Sequence, residues 1–253
     1  MKRLKDNIIF VVIIVVILLG FFIISNEEYI RSNPFQKEFT IDTPLANYIA
    51  DNGNNIIIDN GGHRLVVTDR SRKLLQTING SYDEDNFSNA TEVACDNEDN
   101  IYVIDKPVDE LNQYAAGGRI IRFDASGRYL KEVLCDDSES ESGVVNSLYG
   151  LKIYGDRLYV VRTKENDIEA LCIDLNTDEI IEQKTYEYED AYIKIADAAV
   201  NSRLEICFAT RYGVAFRYDD QGIECIYGGK YAVSVSEISL AYEVDFTEND
   251  SVC

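Results

Sequence analysis

One histidine, no tryptophan, one methionine and three prolines in 253 residues remove several chemistries at the outset. A metal site built on two or more histidines cannot form within one chain. A nucleophilic site resting on His63 would need a placed serine or cysteine, and no such motif is present. His63 stands between Gly61-Gly62 and Arg64 and reads as a surface turn residue. The six cysteines, at 95, 135, 172, 207, 225 and 253, include no C-x-x-C pair, which argues against zinc and thioredoxin-like chemistry. Cys95, Cys172, Cys207 and Cys225 fall inside apolar strand patterns, as small buried hydrophobes do, and a Cys95–Cys135 disulfide is an open alternative. Cations are scarce too. With 24 Lys and Arg against 45 Asp and Glu, the formal charge is −21, which argues against non-specific nucleic-acid binding. No glycine-rich loop opens a helix to cradle phosphate, because Gly61-Gly62 and Gly117-Gly118 lie between strand patterns.

What is present begins with Ile8 to Ile24, an apolar run without a charge. At about 1.5 Å per residue it spans roughly 25 Å, near the lower limit for a bilayer core, with Ser25 and the flanks supplying the remainder. Lys2, Arg3 and Lys5 precede it, and Glu27 and Glu28 follow. The reading is an uncleaved anchor over residues 8–25, with residues 1–7 cytoplasmic and the rest exported. A cleaved signal peptide is the rival, but Phe21 to Glu27 offers no small-x-small site.

The rest of the chain repeats. Ile56-Ile57-Ile58, Ile101-Tyr102-Val103-Ile104, Leu158-Tyr159-Val160-Val161 and Leu204-Glu205-Ile206-Cys207 start 45, 57 and 46 residues apart. Each is followed by a strand pattern ending in aspartate: Asp69, Asp124, Asp174 and Asp219, with a polar turn after it. An inner strand precedes each unit, such as Glu92-Val93-Ala94-Cys95, and an outer one follows, such as Tyr129 to Leu134. Four strands per period of about 45 residues predict an all-β propeller of four-stranded blades, preceded by one transmembrane helix. The four aspartates are expected to form turns by accepting backbone hydrogen bonds. The longer second interval is assigned to an acidic insertion, Asp136 to Gly143.

Residues 90–134 resemble an NHL-type propeller repeat, through Val93-Ala94-Cys95-Asp96, Asp99 to Asp105 and Gly118 to Gly127. The other blades are similar in outline only, over roughly residues 45–228. The resemblance implies a scaffold for protein or ligand recognition, in a family that includes sensor ectodomains, interaction modules and a few enzymes. Its members more often close with about six blades. Residues 232–246 read as the start of a fifth blade, so either Phe39-Thr40-Ile41 supplies a closing strand or the chain is a fragment, the latter being favoured. Residues 26–44 are assigned to a linker or closing strand, and 45–253 to the propeller.

Three acidic clusters (Asp83 to Asp85, Asp136 to Glu141, Glu187 to Asp190) read as solvated loops, since none has the ligand pattern of an EF-hand. Asn79, Asn86 and Asn89 open glycosylation sequons. No catalytic or cofactor-binding residue and no cofactor is assigned, and metal ligands are left open. The functional expectation is a membrane-anchored, extracytoplasmic binding or sensing module for a protein or small molecule. The alternative is a calcium-dependent propeller lactonase or hydrolase. Reporter fusions after residue 60 should be active only with exported-type reporters; cytoplasmic reporter activity there would reject the topology.

Overall fold

A computed structural model of the chain describes residues 40–80, 87–106, 117–136, 147–164, 167–187, 195–210, 215–227 and 245–246. All the elements belong to the unit formed by residues 41–253. The apolar run over 8–25, the three acidic clusters apart from Asp136 and Glu187, and the fifth-blade pattern apart from Asp245-Phe246 lie outside the described residues. Among the described residues no helix is long and apolar enough to cross a membrane.

Among the described residues sixteen strands form four antiparallel sheets, each a four-stranded meander. Blade I holds β1 (Pro44–Ile49), β2 (Asn55–Asp59), β3 (Arg64–Thr68) and β4 (Leu74–Ile78). Blade II holds β5 (Ala90–Cys95), β6 (Ile101–Asp105), β7 (Gly118–Phe123) and β8 (Tyr129–Asp136). Blade III holds β9 (Ser147–Tyr154), β10 (Arg157–Lys164), β11 (Asp167–Asp174) and β12 (Ile180–Glu187). Blade IV holds β13 (Ile195–Val200), β14 (Ile206–Thr210), β15 (Ala215–Asp219) and β16 (Gly222–Tyr227). The repeat expected from the sequence is therefore present, with one local difference. Leu204, placed in a strand by pattern, takes a left-handed φ of 58° and is buried in the turn before β14.

Burial explains the patterning. Among the middle strands, β6 and β14 are buried at every position and read as continuous apolar runs, whereas β15 keeps three half-buried residues. Outer strands are covered on one face and alternate, as β8 does. Ile56, Ile58, Leu65 and Val67 pack against Val93, Ile101, Val103, Ile121 and Phe123 between blades I and II. Equivalent clusters join II to III and III to IV. Each fully buried Ile, Leu or Phe contributes about 1.5–3 kcal/mol relative to its exposed state.

Polar contacts fix the ends of the strands. The strand-ending aspartates act as expected. Asp124 Oδ1 accepts the amides of Ser126 (2.9 Å) and Arg128 (3.0 Å), and Asp69, Asp174 and Asp219 repeat the pattern. These bonds, with the Ser126 hydroxyl foremost, hold the Asp124 carboxyl down to about 2. A second series was not anticipated. Asp105, at the end of β6, is 1% exposed; Oδ1 accepts the amide of Asn89 (2.8 Å) and Oδ2 accepts Arg119 Nη2 (2.9 Å). Asp59 does the same with Asp42, Thr43 and Arg64. Thr163 replaces the acid in blade III, accepting the Ser147 amide at 2.9 Å. Each ties the entry of the inner strand to the second strand.

Neighbouring blades also reach one another at the rim. Gln76 donates to the Ala125 carbonyl (3.3 Å), Lys131 pairs with Asp178, and Lys184 pairs with Asp220. Each time the outer strand meets the last turn of the following blade. The Cys95–Cys135 alternative is overturned, because no disulfide joins them. They stand on β5 and β8, at opposite edges of one sheet. Three strand spacings of about 4.8 Å exceed the roughly 7 Å limit between bridged Cα atoms.

Asp105→Ala should lower the unfolding free energy by about 2–4 kcal/mol, because Arg119 loses its nearly buried counter-ion while keeping some solvent contact. Asp105→Asn, which keeps an acceptor for Asn89, should lose less. Equal losses in urea titrations would show that the amide contact contributes nothing.

Candidate axial site

β1, β5, β9 and β13 are the edge strands that pack on one another from blade to blade, so they line the propeller axis. Polar side chains from three of them converge there. Glu92 on β5 reaches across to blade III, where its two oxygens accept the amides of Gly150 (3.0 Å) and Leu151 (2.7 Å) on β9. Gly150 is at φ 68°, and a Cβ there would lie 2.7 Å from the Ala198 carbonyl oxygen on β13. The bulge therefore requires glycine, both for its left-handed backbone and for the close approach of blade IV.

Two ammonium groups flank this carboxylate. Lys106, 7% exposed just after β6, sits over the Tyr149 ring at 3.8 Å from its centroid. Lys152 on β9 pairs with Asp245 at 2.6 Å, and Phe246 beside it is buried against Ala199, Cys207, Ala209 and Ala215 of blade IV. Glu92 keeps an edge toward solvent but lies deep within the blades. Burial pushes its carboxyl above the ordinary glutamate value, against the opposing pull of Lys106 and the two amides. Burial draws the Lys152 ammonium down, yet the hydrogen bond and charge of Asp245, with Tyr154 and Glu92, outweigh it and raise it. Tyr48 on β1 completes the set, its phenol raised by burial and by Cys95. Cys95 is itself pushed up to about 12 by burial and the nearby Asp99 and Asp96, which leaves an inert thiol.

The arrangement can bind and orient; it holds one acid between two cations rather than several acids around a vacant centre. Among the described residues no three His, Cys, Asp or Glu side chains come together as metal ligands. Of the residues weighed from sequence, His63 is exposed in its turn at φ 48°, with Nδ1 3.1 Å from the Phe87 carbonyl of blade II. Cys95, Cys172 and Cys207 are buried as expected. Asn89 is unsuited to glycosylation, because its oxygen accepts from Asn60 (2.7 Å) and its nitrogen is buried. None of Tyr48, Glu92, Lys106 or Lys152 was singled out from sequence. The available signal was Glu92, a charge set directly before the apolar Val93-Ala94-Cys95.

No family model matches the chain, and no curated protein matches its sequence. Solved structures do. Virginiamycin B lyase from Staphylococcus aureus aligns over 84% of this chain and 63% of its own, with TM-score 0.54 and 12% identity. A gluconolactonase from Xanthomonas campestris aligns over 72% and 60%, with TM-score 0.50 and 13% identity. The extracellular domain of a proposed one component system from B. thetaiotaomicron aligns over 86% of this chain and 27% of that one, with TM-score 0.52 and 12% identity. The chain thus spans less than two thirds of each. At these identities the likeness establishes the fold, a β-propeller.

Glu92→Gln provides a test of the buried carboxyl. A folded-state value above the unfolded one, about 4.3, means the folded protein binds the proton more tightly, so this group's contribution declines as pH rises. The stability of the wild type relative to Glu92→Gln should therefore fall between pH 4 and pH 7 in urea titrations. A relative stability that rises over that range would mean that the amides and lysines outweigh burial.

Proposed function

We propose that this chain is a membrane-anchored, extracytoplasmic propeller of the NHL type that binds a ligand at its axis and serves as a sensing module. The carrying observation is the axial cluster, in which Tyr48, Glu92 and Lys152 come from three different blades. A few polar groups that converge from several blades on an apolar frame suit recognition of a small polar molecule. The apolar run over 8–25 with its basic flank supports the anchor and the exported orientation. The fold likeness to an extracellular domain agrees with that placement.

The rival is the calcium-dependent lactonase or hydrolase, for which the fold likeness to a gluconolactonase speaks. Calcium held by a propeller enzyme would draw on carboxylates from several blades. Thermal denaturation of the full chain in detergent separates the two. A ligand of the axial site should raise the midpoint in the wild type and fail to do so in a Glu92→Ala, Lys106→Ala variant, while calcium has little effect. Calcium at about 100 times its dissociation constant would add about 2.7 kcal/mol. A large chelator-reversible shift accompanied by lactone hydrolysis would put the enzyme first.

A further inference from the structure

The two axial cations are covered in different ways. Lys106 is nearly buried and lies over Tyr149 of the adjacent blade. Lys152 takes its carboxylate from Asp245, which belongs to none of the sixteen strands and stands 93 residues away in sequence. Asp245 reaches the axis beside Phe246, whose ring is buried on the side of blade IV that faces away from blade III. Its other oxygen, Oδ1, accepts the amide of Phe246 at 2.7 Å. The ion pair itself stays open to water, the side chains being 34% and 41% exposed. Pairs that wet hold their partners weakly.

Resting on the axial reading above, we propose that Lys152 is the carboxylate-reading group of this site and that Asp245 is its internal occupant. The ligand class that follows is a small molecule bearing a carboxylate. Its carboxylate takes the place of the Asp245 side chain on the ammonium. The rest of it lies toward the Tyr48 phenol and Glu92, both within electrostatic reach of Lys152. Phe246 can stay buried during this exchange, because the ion pair and the ring contact involve different blades. An internal carboxylate of this kind keeps the ammonium paired in the resting state and sets the ligand concentration needed to displace it.

The test is amine-reactive labelling of the full chain in detergent, read by mass spectrometry at Lys152, with Lys184 as the control. Asp245→Asn should raise labelling at Lys152 about five-fold and leave Lys184 unchanged. Millimolar propionate should restore protection in that variant, and the neutral analogue propionamide should not. Unchanged labelling in Asp245→Asn, or equal protection by propionamide, overturns the proposal. If Asp245→Asn loses its β-rich circular dichroism, Lys152→Met decides instead. It must abolish any propionate-induced rise in the wild-type thermal midpoint, and either a surviving rise or no rise in the wild type rejects the proposal. An uncharged solute that needs Glu92 but not Lys152 would reject the carboxylate while retaining the axial site.

Discussion

Everything in this molecule depends on sheets whose middle strands are apolar on both faces. A single four-stranded meander with β6 or β14 at its centre would leave both apolar faces in water. Stacking the blades removes that exposure pair by pair, and the three inter-blade clusters are the result. Because each blade is stabilised mainly by its neighbours, polar contacts are free to set geometry. The strand-ending aspartates shape the last turn of each blade, and the buried Asp59, Asp105 and Thr163 lock the inner strand to the second strand.

The axis inherits its character from the same constraint. Inner strands have one edge without a strand partner, so side chains and amides there must find partners across blades. Glu92 does so by taking two amides of β9, which lets the Gly150 bulge press against β13. One carboxylate thereby couples blades II, III and IV. The same contact places a partly desolvated acid between Lys106 and Lys152, and this makes the axis suited to polar recognition.

Much of the fold was legible in the sequence because it follows from period. The repeat spacing, the apolar quartets and the strand-ending aspartates are local signals, and the blades appear where those signals stand. Leu204 misled because an apolar residue at the start of a pattern cannot be told from one buried in a turn. The second aspartate series was missed because nothing local marks Asp59 and Asp105: the amides they accept, of Asp42, Thr43 and Asn89, lie 16 to 17 residues away. The axial site was less legible still. Glu92, Lys106, Lys152 and Asp245 share no local motif, and only the curvature of the stacked blades brings them together.

The Glu92 carboxylate clamps blade II to the β9 bulge at the axis. Native-state hydrogen exchange at the amides of Gly150 and Leu151 reads this clamp amide by amide. In the wild type both amides should exchange slowly, and in Glu92→Ala both should become fast while the amides of β10 and β11 keep their protection. Fast exchange at Gly150 and Leu151 in the wild type, or protection that survives in Glu92→Ala, would show that Glu92 does not hold the bulge.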